Sequence, residues 1–369
     1  MSGLFSEITI KNTKLKNRIV FPAMLVCDID APNGHVSRAY LDHYEWVSDR
    51  GVGMIIAGAA YVSENGKMTP KSQLGVSSDE HIEGLSKIPE ICHKKGVPVL
   101  MLINHAGVNA AGTDDYVASS VLRVESKIFN TVAISREMTK EEIKKYEQDY
   151  VDAAVRCEKA GFDGVQVQCA HTYLFDTFLS SEKNKRTDEY GGSLENRARI
   201  VVETIQAIKK RVGPDFIVAV RMPYNAPSIE DAVEFAKMFE AAGADYIEVS
   251  WGTLSFVAVT AGEGPKAPEG FKFDNIPYGA SQIKKAVSVP VGGVWMMRSE
   301  SAHEMIENGY SDTVDVLRGI LIDPDWVEKA KEKKPSNKCL NCKPICRWYM
   351  DRTKCPQWNK LPAEIRLNR

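Results

Sequence analysis

Gln168, His171 and Tyr173 stand at i, i+3 and i+5, directly after an apolar run. A glutamine amide and an imidazole can both donate to a carbonyl oxygen, and a tyrosine is a weak acid at neutral pH. Each alone reads as a satisfied structural residue. Together, at the C-terminal end of a strand in an α/β barrel, they read as a ligand-facing cluster. A second grouping lies near the other end of the chain, as Cys339-Leu-Asn-Cys342-Lys-Pro-Ile-Cys346 and then Cys355-Pro356. Thiolates at these spacings can converge on one centre. Four cysteines suit an iron–sulfur cluster or a structural zinc ion. Four unliganded thiols are the remaining alternative.

The stretch Asn184–Arg199 is just as dense in polar residues but reads as architecture. Arg186, Asp188, Glu195, Asn196 and Arg197 are expected to form a buried ion-pair and turn network. Gly191-Gly192 supplies a sharp bend before the next helix.

Short β-rich apolar runs that alternate with helical patterns position these groups. The predicted strands are Ile19–Met24, Met54–Ala60, Val97–Asn104, Gly164–Ala170, Phe216–Met222, Asp245–Gly252, Val289–Trp295 and Thr313–Leu321. Among the helices between them, Glu141–Ala160 opens on a capping box, Thr139-Lys-Glu-Glu142. Ile229–Ala242 follows Ser228 and stops at Gly243, and Ser299–Asn308 stops at Gly309. Eight such strands predict an α/β fold, a (β/α)8 TIM barrel, with an open doubly wound sheet as the alternative. No GxGxxG follows an early strand, which counts against the open sheet. Ile8-Thr-Ile10 and Leu15 predict an N-terminal hairpin under the barrel floor. The long segments His105–Met138 and Thr253–Gly279 should rise over the C-terminal face, where barrel active sites sit. The barrel is expected over 1–335, with a Cys-rich extension over 336–369 packed on it.

The 369 residues are 44% hydrophobic and 26% charged with net charge −2, an ordinary globular composition. That balance gives no electrostatic case for a nucleic acid or membrane partner. The N-terminus lacks a signal-peptide pattern and no apolar run is long enough to span a bilayer, so the cytoplasm is the expected location. There, the eight cysteines are not expected to form a disulfide framework.

From Leu4 through Asp323-Pro324 the chain resembles the old yellow enzyme family of FMN-dependent ene-reductases. The likeness is carried by Gln168-x-x-His171-x-Tyr173 and by Asp188-Glu-Tyr-Gly-Gly-Ser-Leu-Glu-Asn-Arg197. The resemblance implies FMN at the C-terminal ends of the strands, with Ala23, Met24, Ala59, Leu102, Arg221, Leu317 and Arg318 around it. It places Arg221 beside the flavin N1/O2 edge, where a fixed cation favours reduced flavin, and Arg318 at the phosphate. Tyr173 then matches the proton donor in alkene reduction, and Gln168 with His171 the pair that binds the substrate oxygen. The first of that pair is normally histidine; glutamine can donate but cannot become positive. Other departures are Ala23 for a proline, Leu25 for a Thr or Cys near flavin N5, and Leu102 for a glutamine. Trp295-Met296 replaces a phosphate-loop glycine pair, and Leu317 replaces the glycine before Arg318.

In larger relatives, such as 2,4-dienoyl-CoA reductase and trimethylamine dehydrogenase, a similar cysteine run holds a [4Fe–4S] cluster, which favours iron–sulfur over zinc here. Those relatives continue into nucleotide-binding domains, whereas this sequence stops at Arg369, so a separate electron-donor or acceptor protein is an expected partner. Three readings follow: an ene-reductase acting on a small unsaturated carbonyl compound, an iron–sulfur flavoprotein dehydrogenase or demethylase, and a flavin-poor binding subunit. A homo-oligomer is compatible with each.

Overall fold

The computed structural model describes residues 3–126, 131–251, 265–295, 297–343 and 345–366. Eight parallel strands close into a barrel, at Ile19–Phe21, Met54–Tyr61, Val99–Asn104, Gly164–Gln168, Ile217–Pro223, Tyr246–Ser250, Val291–Val294 and Thr313–Asp315. Closure is direct, since Val20 pairs with Met54 on one side and with Asp315 on the other. Helices lie between the strands, as the (β/α)8 reading requires.

Local signals act where the sequence places them. In helix Lys140–Lys159 the Thr139 and Glu142 side chains satisfy each other's backbone N–H groups. Helix Ile229–Ala242 is capped by Ser228 and ends on Gly243 in the left-handed region. The hairpin Ile8–Ile10 with Thr13–Leu15 is antiparallel, and its apolar side joins Val20, Met54, Ile56, Leu100, Ile217 and Ala219 in one buried cluster.

The eighth strand ends sooner than predicted. Thr313–Asp315 is extended, but Arg318–Ile322 is helical and almost wholly buried. A short apolar run reads the same way in a buried strand and a buried helix, and the close approach of Gly319 to Val316 and Trp326 favours the turn into a helix. The first, fourth and sixth strands also stop short, at Phe21, Gln168 and Ser250. The predicted helix Ser299–Asn308 is a 3-10 turn followed by an α-helix, Ala302–Glu307.

The segment after the third strand builds an antiparallel hairpin, Arg123–Ser126 with Thr131–Ile134, and a short parallel pairing of Val117–Ala118 with Arg136–Glu137. Most of Asn184–Arg199 is the expected network. Arg186 holds Asp188 at 2.6 Å and the Met138 carbonyl at 2.7 Å, while Arg197 reaches Asp231 at 2.9 Å. Glu195 departs from the expectation and stands exposed in the first helical turn. Among the described residues no helix is long and apolar enough to cross a membrane.

The cysteine-bearing segment lies against the barrel. Trp348, 2% exposed, packs beside His43 and Trp358, and Trp358 packs beside Trp46. Arg352 donates to both oxygens of Asp28 at 2.7 and 3.0 Å, with both side chains 5% exposed.

Candidate active site

Side chains alternate in direction along a strand, so every second residue of the closed barrel faces inward. Toward the C-terminal ends of the fourth to sixth strands those residues are polar, with Gln168, Arg221 and Glu248 side by side. Gln168 is register partner to Arg221, and Arg221 to Glu248. Arg221 donates from Nη1 to the Ala23 carbonyl at 3.1 Å, and its Nε stands 3.1 Å from Glu248 Oε2, an ion-pair separation without hydrogen-bond alignment. Its Nη2 lies 3.5 Å from Ser250 Oγ, which in turn is 2.9 Å from His171 Nε2. Gln168 Nε2 is 3.2 Å from His171 Nδ1, and Gln168 Oε1 is buried without a partner among the described residues.

Deeper inside, Asp315 accepts from Tyr246 at 2.9 Å and Thr313 at 2.7 Å. A side chain at Gly292 would collide with all three, so only glycine leaves room for the cluster. Glu248 and Asp315 are fully buried. Burial pushes both carboxyls up, and the charge of Glu248 adds to the rise at Asp315.

His171 and Thr172 have φ of +66° and +59°, a left-handed backbone that costs energy for any residue but glycine. The turn is held from several sides. Asp176 accepts from the Thr172 N–H at 2.8 Å and pairs with Lys183 at 2.9 Å, while Asn109 donates to the Thr172 carbonyl at 2.9 Å. Burial, with Arg221 adding to it, lowers His171 to about 3, so the ring is neutral near pH 7. Burial raises the Tyr173 phenol above its usual value, which keeps its proton on.

Tyr173 lines a cavity of about 570 Å³ together with Leu25, Cys27, Met68, Val108 and Tyr349, a size that suits a small-molecule site. Ala23, Ala59 and Leu102 belong to the barrel's inner apolar cluster, with Met68 packed against them. Met24 and Leu317 are half-buried against the outer core. Arg318 is apart from Arg221. It donates to Asn341 at 3.1 Å and lines a cavity with Cys339, Cys342, Cys346 and Cys355. None of these cysteines is in a disulfide. Among the described residues no three His, Cys, Asp or Glu form a group that could hold a single metal ion, so the metal expectation gains a shared cavity but no converged ligand set. Met296 of the expected phosphate loop, and 253–264 of the long segment after the sixth strand, lie outside the described residues.

Sequence reasoning missed Ser250, Glu248, Asp315, Cys27 and Tyr349. The first three carried a usable signal, because polar residues at alternate positions in an apolar strand must face the barrel interior. Tyr349 carried none, since only the docking of the C-terminal segment brings it to the cavity.

The chain matches the model of the NADH:flavin oxidoreductase / NADH oxidase family over residues 3–337. It is 34% identical over 354 residues to an NADH oxidase of Thermoanaerobacter brockii, covering 93% of this chain and 53% of that protein. It is 33% identical over 334 residues to an NADPH dehydrogenase of Bacillus subtilis (strain 168), covering 89% and 94%. A 2-naphthoyl-CoA reductase complex superimposes with a TM-score of 0.83 at 27% identity, over 94% of this chain and 55% of that one. The old yellow enzyme homologue from Zymomonas mobilis shares the fold, with a TM-score of 0.77 at 22% identity over 92% and 95%. The chain thus spans about half the length of the NADH oxidase and the naphthoyl-CoA reductase. With the closed barrel and the polar chain at its mouth, these matches show that the chain belongs to the NADH:flavin oxidoreductase / NADH oxidase family.

Proposed function

We propose that the protein reduces the C=C bond of a small α,β-unsaturated carbonyl compound, with NAD(P)H as the source of electrons. The observation that carries this reading is Tyr173, a 4% exposed, protonated phenol on a cavity wall beside the chain from Gln168 through His171 and Ser250 to Arg221.

The residues at the barrel mouth fit FMN. Arg221 offers a fixed cation, and Gln168 Oε1 is a buried acceptor without a partner among the described residues. FMN, when bound and reduced, supplies the hydride for the substrate's β-carbon. Arg221 is held by Ala23 and Glu248 so that its charge stays at the mouth. His171, neutral and fixed by Ser250, works with the Gln168 amide to hold the substrate oxygen and polarise the carbonyl. Tyr173 gives its phenolic proton to the α-carbon and regains one from solvent.

Tyr173→Phe removes only the hydroxyl, so enone reduction should fall about 10²–10⁴-fold. Reduction of the flavin by NAD(P)H and turnover of a quinone, which needs no carbon protonation, should persist. Undiminished enone reduction in this variant moves the dehydrogenase or demethylase reading ahead. Bound flavin far below one FMN per chain after reconstitution favours the binding-subunit reading.

The four cysteines are proposed to hold a [4Fe–4S] cluster that passes single electrons to or from a separate protein. Cys339, Cys342, Cys346 and Cys355 ring one largely apolar cavity, and a four-iron cluster takes its thiolates at separate corners rather than at one point. Protein prepared anaerobically should contain iron and acid-labile sulfide in near-equal amounts. Zinc alone would replace this account with a structural one.

A further inference from the structure

Charge is unevenly spread along the chain. Between Lys331 and Lys360 stand nine lysines and arginines against two acidic residues, in a protein of net charge −2. Four of those cations are sequence neighbours of the four clustered cysteines, as Lys338-Cys339, Cys342-Lys343, Cys346-Arg347 and Lys354-Cys355. All four cations are exposed, while the thiols beside them are half-buried or buried in the wall of one cavity. Lys338, Lys343 and Arg347 form no ion pair among the described residues, and Lys354 lies 3.8 Å from Asp351. Leu340, 56% exposed, lines the same cavity as Arg347. Gln357, also on that wall, donates to the Lys338 carbonyl at 2.6 Å and so keeps Lys338 at the edge.

We propose that this face, on the reading of the four cysteines as a [4Fe–4S] site, is the docking surface for an acidic one-electron carrier protein of the ferredoxin or flavodoxin class. An exposed apolar side chain inside a ring of charge is the layout of a transient interface. The apolar centre is covered on binding, and the charged rim selects the partner and speeds its approach. Cations that no carboxylate of the same molecule neutralises favour an anionic partner. Proteins that exchange single electrons dock briefly over small interfaces, and those of this class surround their redox centres with acidic residues. The collar is opposite to them in sign. A carrier centred on Leu340 covers the cavity that the cysteines ring, so it meets the site at its outer wall. An anionic membrane suits the face less well, because the α-helix within it, Arg347–Met350, is four residues long and offers no amphipathic face to insert.

The test titrates the flavin-loaded full chain, prepared anaerobically, with a plant-type [2Fe–2S] ferredoxin and separately with a flavodoxin. At least one should bind at about 0.01 M salt and weaken about tenfold or more at about 0.15 M, as the Debye length shrinks from about 30 Å to about 8 Å. Lys338→Glu, Lys343→Glu and Arg347→Glu combined should weaken low-salt binding about tenfold or more and flatten its salt dependence. Leu340→Ala should weaken binding about three- to tenfold at both salt concentrations. Lys343→Glu alone, on an exposed bend, should shift affinity in the same direction and stands in if the triple variant fails to fold. Parental affinity in the folded variants, or no binding of either carrier, overturns the proposal. Binding to vesicles of phosphatidylserine and phosphatidylcholine in place of the carriers overturns it too, and makes the collar a membrane patch. Metal and sulfide analysis of the same preparation tests the cluster separately. Iron and sulfide without carrier binding keep the cluster and remove the docking surface. Carrier binding that falls with salt and in the variants, with zinc in the cysteines, keeps the surface and removes the cluster.

Discussion

Ser250 Oγ stands 2.9 Å from His171 Nε2 and so links the end of the sixth strand to the strained turn after the fourth. A hydroxyl can accept from one neighbour and donate to another, which lets it bridge the imidazole and Arg221.

Ser250→Ala removes that bridge and leaves the imidazole with one fixed nitrogen. Affinity for a para-substituted phenol, titrated through its effect on flavin absorbance, should fall about three- to tenfold. An unchanged dissociation constant would show that the turn alone orients His171.

Arg221 and Glu248 are 7% and 0% exposed, so breaking the pair strands a carboxylate in the barrel. Arg221→Met should destabilise the fold by about 3–5 kcal/mol in urea unfolding. Adding Glu248→Gln should recover most of the loss, because the neutral amide no longer needs a cation. A double variant no more stable than the single one would show that Glu248 is already protonated in the parent.

Burial lowers His43 and His105 to about 3 in the folded chain, against about 6.5 when unfolded. Between those values the unfolded state binds protons that the folded state refuses, so stability is full above pH 6.5 and is lost as pH falls toward 3. At pH 5 the loss is about 2 kcal/mol for each ring. Denaturant unfolding at pH 7.5 and pH 5 should show this slope, and His105→Gln should flatten it. A variant with the parent's slope would remove His105 from the account.

Arg352→Ala leaves Asp28 buried and unpaired. Amide exchange over Arg347–Met350 should accelerate by about a hundredfold or more, matching roughly 3 kcal/mol of lost pairing. Exchange at parental rates would show that Trp348 alone holds the segment.

The barrel was legible because its signals are local and periodic. Apolar runs spaced by capped helices mark it, and Thr139–Glu142, Ser228 and Gly243 act where they stand in the sequence. The run Thr313–Leu321 misled because a buried strand and a buried helix are apolar on every side. The Gln168–His171–Tyr173 group was visible as a cluster, but the way Ser250 holds His171 depends on register between strands about eighty residues apart. Tyr349 shows the limit most plainly, since its place depends on an ion pair formed across 324 residues.

That span has a consequence for how the protein is made. Val20 finds one of its two strand neighbours only when Asp315 has left the ribosome, and Asp28 waits longer still for Arg352. At about 5–20 residues per second, the first strand spends tens of seconds with an unpaired apolar edge. The cavity that Tyr173 lines therefore gains its Tyr349 and Met350 wall only once almost the whole chain has been made.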